Sequence, residues 1–196
     1  MRLGRTQAQP IGVDLGHDSV KLVQFEADED SLRAVAWARE SLPSEVRRDT
    51  GRWLPAAVEL AGLLVRRGGF VGRRAVVCVP REMLHIKHLR LPVMPASELE
   101  NVVRFESRNL FDFDIQSALV QHIPAGEVRQ GGETLQEVLV LAAQVAELEQ
   151  FTQRLHRAGI QVDSLDAEPC ALYRGVERFV RRRDDELEVH VLADIG

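Results

Sequence analysis

The stretch Ile11-Gly-Val-Asp-Leu-Gly-His-Asp-Ser-Val-Lys-Leu-Val-Gln-Phe25 decides how the start of this chain folds. Apolar residues alternate with small or polar ones over 11–15 and again over 20–25, on either side of a polar turn. Alternation interrupted by Gly, Asp and Ser predicts a β-hairpin. A hairpin tip can direct several backbone N–H groups outward as an anion-binding nest. With Asp14 on one side and Lys21 on the other, it is a candidate phosphate or Mg²⁺-phosphate site; a purely structural hairpin is the alternative.

The composition is that of a globular protein. The chain has 196 residues, of which 45% are apolar, so it can form one large or two small domains. Its net charge of −5 gives no electrostatic argument for nucleic acid as a partner. No apolar run is long enough to span a bilayer, and residues 1–9 lack the apolar core of a signal peptide. We therefore expect a cytoplasmic protein in which Cys78 and Cys170 are buried free thiols rather than zinc ligands.

The first half of the chain predicts a β-meander followed by a helix and a buried strand. Residues 1–9 are polar and expected to be flexible, and a third strand over 32–42 follows the hairpin. Apolar residues at helical spacing over 52–67 predict a helix, which Gly68 ends. The continuous apolar run 75–79 is typical of a strand buried on both faces.

The segment 84–165 predicts the order strand, helix, strand, strand, helix, strand of a ferredoxin-like subdomain. Its first helix is expected to begin with a capping box, in which Ser97 is the N-cap and Glu100 follows three residues later. The two central strands are expected to be joined by the polar, glycine-rich loop 125–132.

A second strand that runs into Asp-x-Gly occurs at the end of the sequence. Gly12-Val-Asp-Leu-Gly16 near the start is echoed by Leu192-Ala-Asp-Ile-Gly196. If the two turns face each other, Asp14 and Asp194 would contact Mg²⁺ or its waters. The glycines would let the backbone approach phosphate oxygens. The pair therefore predicts a clamp on a triphosphate.

Several segments, in the same order along the chain, resemble the PilM family of type IV pilus assembly proteins. Asp14–Lys21 resembles the phosphate-one hairpin of the wider actin, Hsp70 and sugar-kinase superfamily, and Asp194–Gly196 resembles the start of its phosphate-two hairpin. Residues 91–99, 105–114 and 158–172 resemble PilM in particular.

The resemblance implies an α/β (α+β) fold with two subdomains. An actin-like (RNase H-like) subdomain would comprise 10–83 and 166–186, with a ferredoxin-like βαββαβ subdomain inserted over 84–165. Residues 1–9 would be a flexible N-terminus, and 187–196 the first strand of a second actin-like domain. We therefore expect the chain to hold the first domain and to end within the phosphate-two hairpin.

The resemblance also implies a function. The chain would be a cytoplasmic scaffold at the inner membrane face, attached to the membrane through partners and binding a short peptide of a PilN-like membrane protein, with self-association as a further option. ATP and Mg²⁺ binding is implied for the full-length family, and we expect it to be weak or absent in this chain. The full-length form would have at most weak ATPase activity, and no catalytic residue is assigned. The implied cofactor-binding residues are Asp14, Gly16, His17, Asp18, Ser19, Lys21, Asp194 and Gly196, with Asp14 and Asp194 acting through Mg²⁺-phosphate.

Two alternative functions stay open. A phosphotransferase or ATPase of the same superfamily would need a carboxylate base near a substrate hydroxyl, and Asp14 and Asp194 are better suited to a metal. A GspL-like or FtsA-like platform subunit is the other alternative.

Some aromatic and histidine residues also suggest a site, but have simpler interpretations. We expect Phe105, Phe111 and Phe113 to be core residues, with a peptide groove as the alternative. His85 and His88 are three apart on a strand, so they point to opposite faces and cannot share a metal ion.

Overall fold

The computed structural model describes residues 7–28, 31–180 and 191–192. The chain divides into two compact units. Unit 1 comprises the residues up to Val79 together with those from Thr152 onward, and unit 2 comprises Pro80–Phe151. The predicted last strand lies outside the described residues except at 191–192, which belong to no strand.

Unit 1 is built on a six-stranded mixed sheet. Its strands are β1 (Gln7–Ala8), β2 (Ile11–Leu15), β3 (Ser19–Ala27), β4 (Leu32–Ser41), β5 (Arg74–Cys78) and β9 (Gln161–Asp166). Strands β1, β2 and β4 pair antiparallel with β3, whereas β5 is parallel to β2 and β9 is parallel to β5. The predicted hairpin and third strand are confirmed. Residues 7 and 8, expected to be part of a flexible N-terminus, instead form β1.

The alternation in the sequence produces the core of unit 1. Ile11 and Val20 are fully buried on the face of the sheet against which helix α2 (Thr50–Arg67) packs. Burying one such side chain contributes about 1.5–3 kcal/mol. Helix α2 begins two residues before the prediction because the Asp49 side chain accepts hydrogen bonds from the first backbone N–H groups of the helix.

Two further helices belong to unit 1. Helix α1 (Ser44–Arg47) is a single turn between β4 and α2. Helix α5 (Glu168–Val180) follows β9 directly. Helix α4 (Val145–Arg157) begins in unit 2 and ends in unit 1.

Unit 2 is a helix packed on a three-stranded antiparallel sheet. Its elements are β6 (His85–Pro92), α3 (Ala96–Glu106), β7 (Ala118–Gln130) and β8 (Glu133–Gln144), with the strand order β6-β8-β7. The core contains residues from β6, α3, β8 and the α3–β7 connection: Leu91, Leu99, Val103, Phe111, Ile115, Val138, Val140 and Ala142. Ala118 and Val120 of β7 are partly buried against this core.

The ferredoxin-like prediction for 84–165 is wrong in its last strand. Strand β9 does not join the sheet of unit 2; it pairs in parallel with β5, with Val77 opposite Leu165. Unit 2 therefore has the order β-α-β-β and a compact range of Pro80–Phe151. The order of elements along a chain does not show which sheet a strand joins. Strand β9 can pair in parallel with β5 because a long crossover connection separates the two strands in the chain.

Two local predictions in unit 2 are also corrected. The expected loop 125–132 is a turn of only Gly131 and Gly132, whose φ angles of 63° and 89° suit the two-residue turns of hairpins. The capping box does not form, because α3 begins before Ser97, and its N-cap is Pro95, which makes no side-chain bond.

Candidate functional site

Three parallel strands of unit 1 end at one edge of the sheet. The carboxyl ends of β2, β5 and β9 carry Asp14, Cys78 and Asp166. Ligands of open α/β sheets bind outside the carboxyl ends of the strands. We call this region, together with the tip of the β2–β3 hairpin, the carboxyl edge.

Asp14 and Lys21 form the centre of the hairpin site. They face each other in the β2–β3 register, and Lys21 Nζ donates to Asp14 Oδ2 at 2.9 Å. A β-carbon on Gly16 would lie 3.8 Å from both charged atoms and only 2.8 Å from the Ser19 carbonyl oxygen. The glycine thus permits the tight turn, and it lies directly beside the ion pair. Because 52% of the Lys21 side chain is exposed, its ammonium group is accessible to an anion.

Two other predicted site residues contact neighbouring elements instead. The His17 ring stacks on Trp53 of α2, with 6.3 Å between the ring centroids. Ser19 is buried, and its hydroxyl accepts a hydrogen bond from Arg39 Nε at 3.4 Å. Both side chains are therefore used to hold the hairpin against α2 and β4.

Asp18, at the tip of the turn, binds to helix α1. Arg47 Nη1 donates to Asp18 Oδ1 at 2.9 Å, and this hydrogen bond holds the pKa of the exposed Asp18 carboxyl below its usual value of 3.8. The Leu42 backbone N–H also donates to the Asp18 carbonyl oxygen. An anionic side chain that would repel phosphate is thereby paired with an arginine.

The sequence did not assign Cys78 and Asp166 to this edge. Burial, and then the nearby carboxylates of Asp166, Asp14 and Glu168, raise the pKa of the Cys78 thiol to about 11. Asp166 is itself paired with Arg174, whose pKa it raises. The signal that could have revealed both residues is their position at the ends of strands parallel to β2, which only the sheet order discloses.

The carboxyl edge presents one exposed ammonium group, that of Lys21. Among residues 7–28, 31–180 and 191–192, no group of three or more His, Cys, Asp or Glu side chains is placed to hold a metal ion. Asp194 and Gly196, the second half of the predicted clamp, lie outside the described residues. That ammonium group lies beside Gly16, and a compact ammonium charge suits a phosphate oxygen.

Unit 2 has a groove between α3 and β7. Its cavity of about 170 Å³ is lined by Glu100, Val103, Arg104, Val120, Gln121 and His122. Because β7 is at the edge of its sheet, half of its backbone groups point away from β8. The groove therefore combines a strand edge with a small, largely polar pocket.

The three phenylalanines of unit 2 divide between core and surface. Phe111 is a core residue and Phe113 packs against the core, as expected, and His85 packs edge-on against the Phe113 ring. Phe105 is 61% exposed, with the Arg108 guanidinium 5.3 Å from its ring centroid. Phe105 is therefore a surface residue of α3.

Comparison with solved structures identifies an actin-like fold. The chain matches a structure of the PilM-PilN type IV pilus biogenesis complex with a TM-score of 0.69 and 23% identity, over 87% of this chain and 51% of that chain. It therefore spans about half the length of that protein. The cytoplasmic domain of EpsL, an inner membrane component of the type II secretion system of Vibrio cholerae, gives a TM-score of 0.47 and 13% identity, over 81% and 57% of the two chains.

A family model described as "Type IV pilus assembly protein PilM" matches residues 12–196. The chain belongs to this family. A search of curated protein sequences finds no match. No helix in the described part of the chain is both long and apolar enough to cross a membrane.

Proposed function

We propose that this chain is a scaffold of the type IV pilus assembly platform that works on the cytoplasmic face of the inner membrane. In this role it binds a short peptide of a PilN-like membrane protein. The observation that carries the proposal is the family match over residues 12–196, together with the fold shared with a PilM-PilN complex.

The groove of unit 2 is the surface we assign to the peptide. An extended peptide can add to the edge of β7 through main-chain hydrogen bonds, while a pocket beside the strand selects its side chains. The pocket between α3 and β7 has that position, and its charged lining residues Glu100 and Arg104 would set the polarity of the bound segment.

An immobilised peptide from the N-terminus of a PilN-like protein tests this assignment. Gln121 lines the pocket and is exposed, so Gln121→Trp should fill the space and reduce capture of the chain at least about tenfold. Glu127→Trp, at an exposed position of the same strand that does not line the pocket, is the matched control. If both variants are captured as well as the wild type, the groove is not the peptide site. If the wild-type chain itself is not captured, the PilN-like peptide is not its partner.

We also propose that the carboxyl edge makes weak contact with the phosphates of ATP. The exposed ammonium group of Lys21 supports a phosphate contact, while Asp14 competes for the same ammonium group. A calorimetric titration with ATP and Mg²⁺ should therefore give weak or no binding, and Lys21→Ala should abolish what there is. Submicromolar affinity would contradict this part of the proposal.

A further inference from the structure

A second charged surface of unit 1 lies at the opposite ends of the parallel strands. Helices α2 and α4 both end here, and β5 begins here. The exposed basic residues contributed by the two helix ends and the start of β5 are Arg66, Arg67, Arg73, Arg154, His156 and Arg157. We call this surface the arginine edge.

The two turns that carry these residues are held together. Arg66 Nη1 donates to the Ala158 carbonyl oxygen at 2.9 Å, and the Gln161 N–H donates to the Arg73 carbonyl oxygen at 2.8 Å. A β-carbon on Gly159 would lie 3.6 Å from Arg73 Nη1 and 3.8 Å from Arg66 Nη1. The guanidinium groups of Arg66 and Arg73 therefore both lie next to Gly159, in the turn that follows α4.

One carboxylate near this edge is already paired, since Asp163 Oδ1 lies 2.7 Å from Arg74 Nη2. The chain as a whole carries −5, but at physiological salt charges act over about 8 Å, so the local cluster determines what binds here. Arginine is also favoured in the last turn of a helix, because its positive charge offsets the negative end of the helix dipole. This accounts for the arginines of α2 and α4, and their exposed charges can still attract an anionic partner.

An apolar residue stands among the arginines. Val71, in the turn between α2 and β5, is 60% exposed. Its backbone is fixed, because the buried Gln24 side chain accepts from the Val71 N–H at 2.8 Å and donates to the Val71 carbonyl oxygen at 2.9 Å. The Val71 side chain is therefore exposed to solvent, and its backbone position is fixed by the two hydrogen bonds.

We propose that the arginine edge binds directly to the surface of an anionic lipid bilayer. Basic side chains near such a surface are attracted to its headgroups, and an exposed apolar residue between them inserts at the boundary with the acyl chains. RNA or an unstructured acidic polymer would engage the same charges but would offer little apolar surface to an exposed valine. This contact does not depend on the peptide partner, so it stands or falls separately from the proposed function.

Co-sedimentation of the full chain with phosphatidylcholine vesicles, with and without phosphatidylglycerol, tests the proposal. Binding should require phosphatidylglycerol and weaken as salt increases. Removing one arginine should cost about fivefold in vesicle affinity, so Arg73→Gln with Arg154→Gln should cost about 25-fold. Val71→Ser should weaken binding about fivefold, and Arg129→Gln, an exposed arginine of unit 2, is the matched control with no expected effect.

Several results would overturn the proposal. Equal binding to neutral and anionic vesicles would exclude an electrostatic surface, and equal losses in the double variant and in Arg129→Gln would exclude this location. If the chain binds a short RNA or polyglutamate more tightly than the vesicles, and Val71→Ser has no effect, the ligand of the arginine edge is an anionic polymer and not a bilayer. Circular dichroism of each variant establishes that the fold is retained.

Discussion

At the residue scale, the pairing of Asp18 with Arg47 gives the hairpin tip a pH dependence. Because the folded pKa of Asp18 is lowered, its contribution to stability is present above pH 3.8 and is lost as the pH falls through the folded pKa. Arg47→Gln should return the pKa of Asp18 to its ordinary value, as measured by a carboxyl NMR titration. An unchanged, low pKa in the variant would show that Arg47 is not the cause.

Cys78 gives a second test at this scale. With its pKa raised to about 11 from 9.0, the thiolate fraction at pH 8 should be about a hundredfold smaller than for an ordinary thiol. In a Cys170→Ser variant, the rate of alkylation by iodoacetamide should be correspondingly low and should increase tenfold per pH unit up to about pH 11. A rate that levels off near pH 9 would contradict the burial and the acidic neighbours inferred here.

The sequence predicted only part of the residue contacts. Asp14 and Lys21 flank a short turn, so their proximity followed from the hairpin alone. The partner of Asp18 is 29 positions away on a one-turn helix that reads as a charged loop, so no local pattern indicated it. Cys78 and Asp166 came to the same edge through sheet pairing, which is likewise non-local.

At the scale of elements, α2 comes very near to Ala158, the residue after α4, at Gly62. A β-carbon there would lie 2.4 Å from the Ala158 carbonyl oxygen, whereas one on Gly175 of α5 would meet nothing within 4 Å. Gly62→Ala should therefore lower the free energy of unfolding by about 2 kcal/mol, despite the better helix propensity of alanine. Gly175→Ala should raise it by about 0.5–1 kcal/mol.

Urea unfolding of the two variants measures these opposite changes in the free energy of unfolding. If Gly62→Ala stabilised the chain as much as Gly175→Ala does, α2 would not pack tightly against Ala158.

The elements themselves were largely predictable, and their partners were not. Periodicity identified α2 and the hairpin strands because each buries a face with a regular spacing. The extension of β7 and β8 to the Gly131–Gly132 turn was missed, because the polar residues of 125–130 lie on an exposed ribbon and resemble a loop.

At the scale of the whole molecule, the sequence predicted a two-part, actin-like chain of the PilM family, and both the fold and the family are confirmed. The boundary of the second part was displaced, because β9 returns to the first sheet through a parallel pairing that sequence order cannot reveal. Unit 2 is consequently smaller than expected, and its free strand edge at β7 is the surface to which we assign the partner peptide.

The central claim is that this chain binds the cytoplasmic peptide of a PilN-like membrane protein. A calorimetric titration of the chain with that N-terminal peptide, and with a scrambled peptide of the same composition, tests it most directly. We expect one-to-one binding in the micromolar range for the native peptide and no binding of the scrambled one. Equal heats for the two peptides, or no binding of the native peptide by a correctly folded chain, would contradict it.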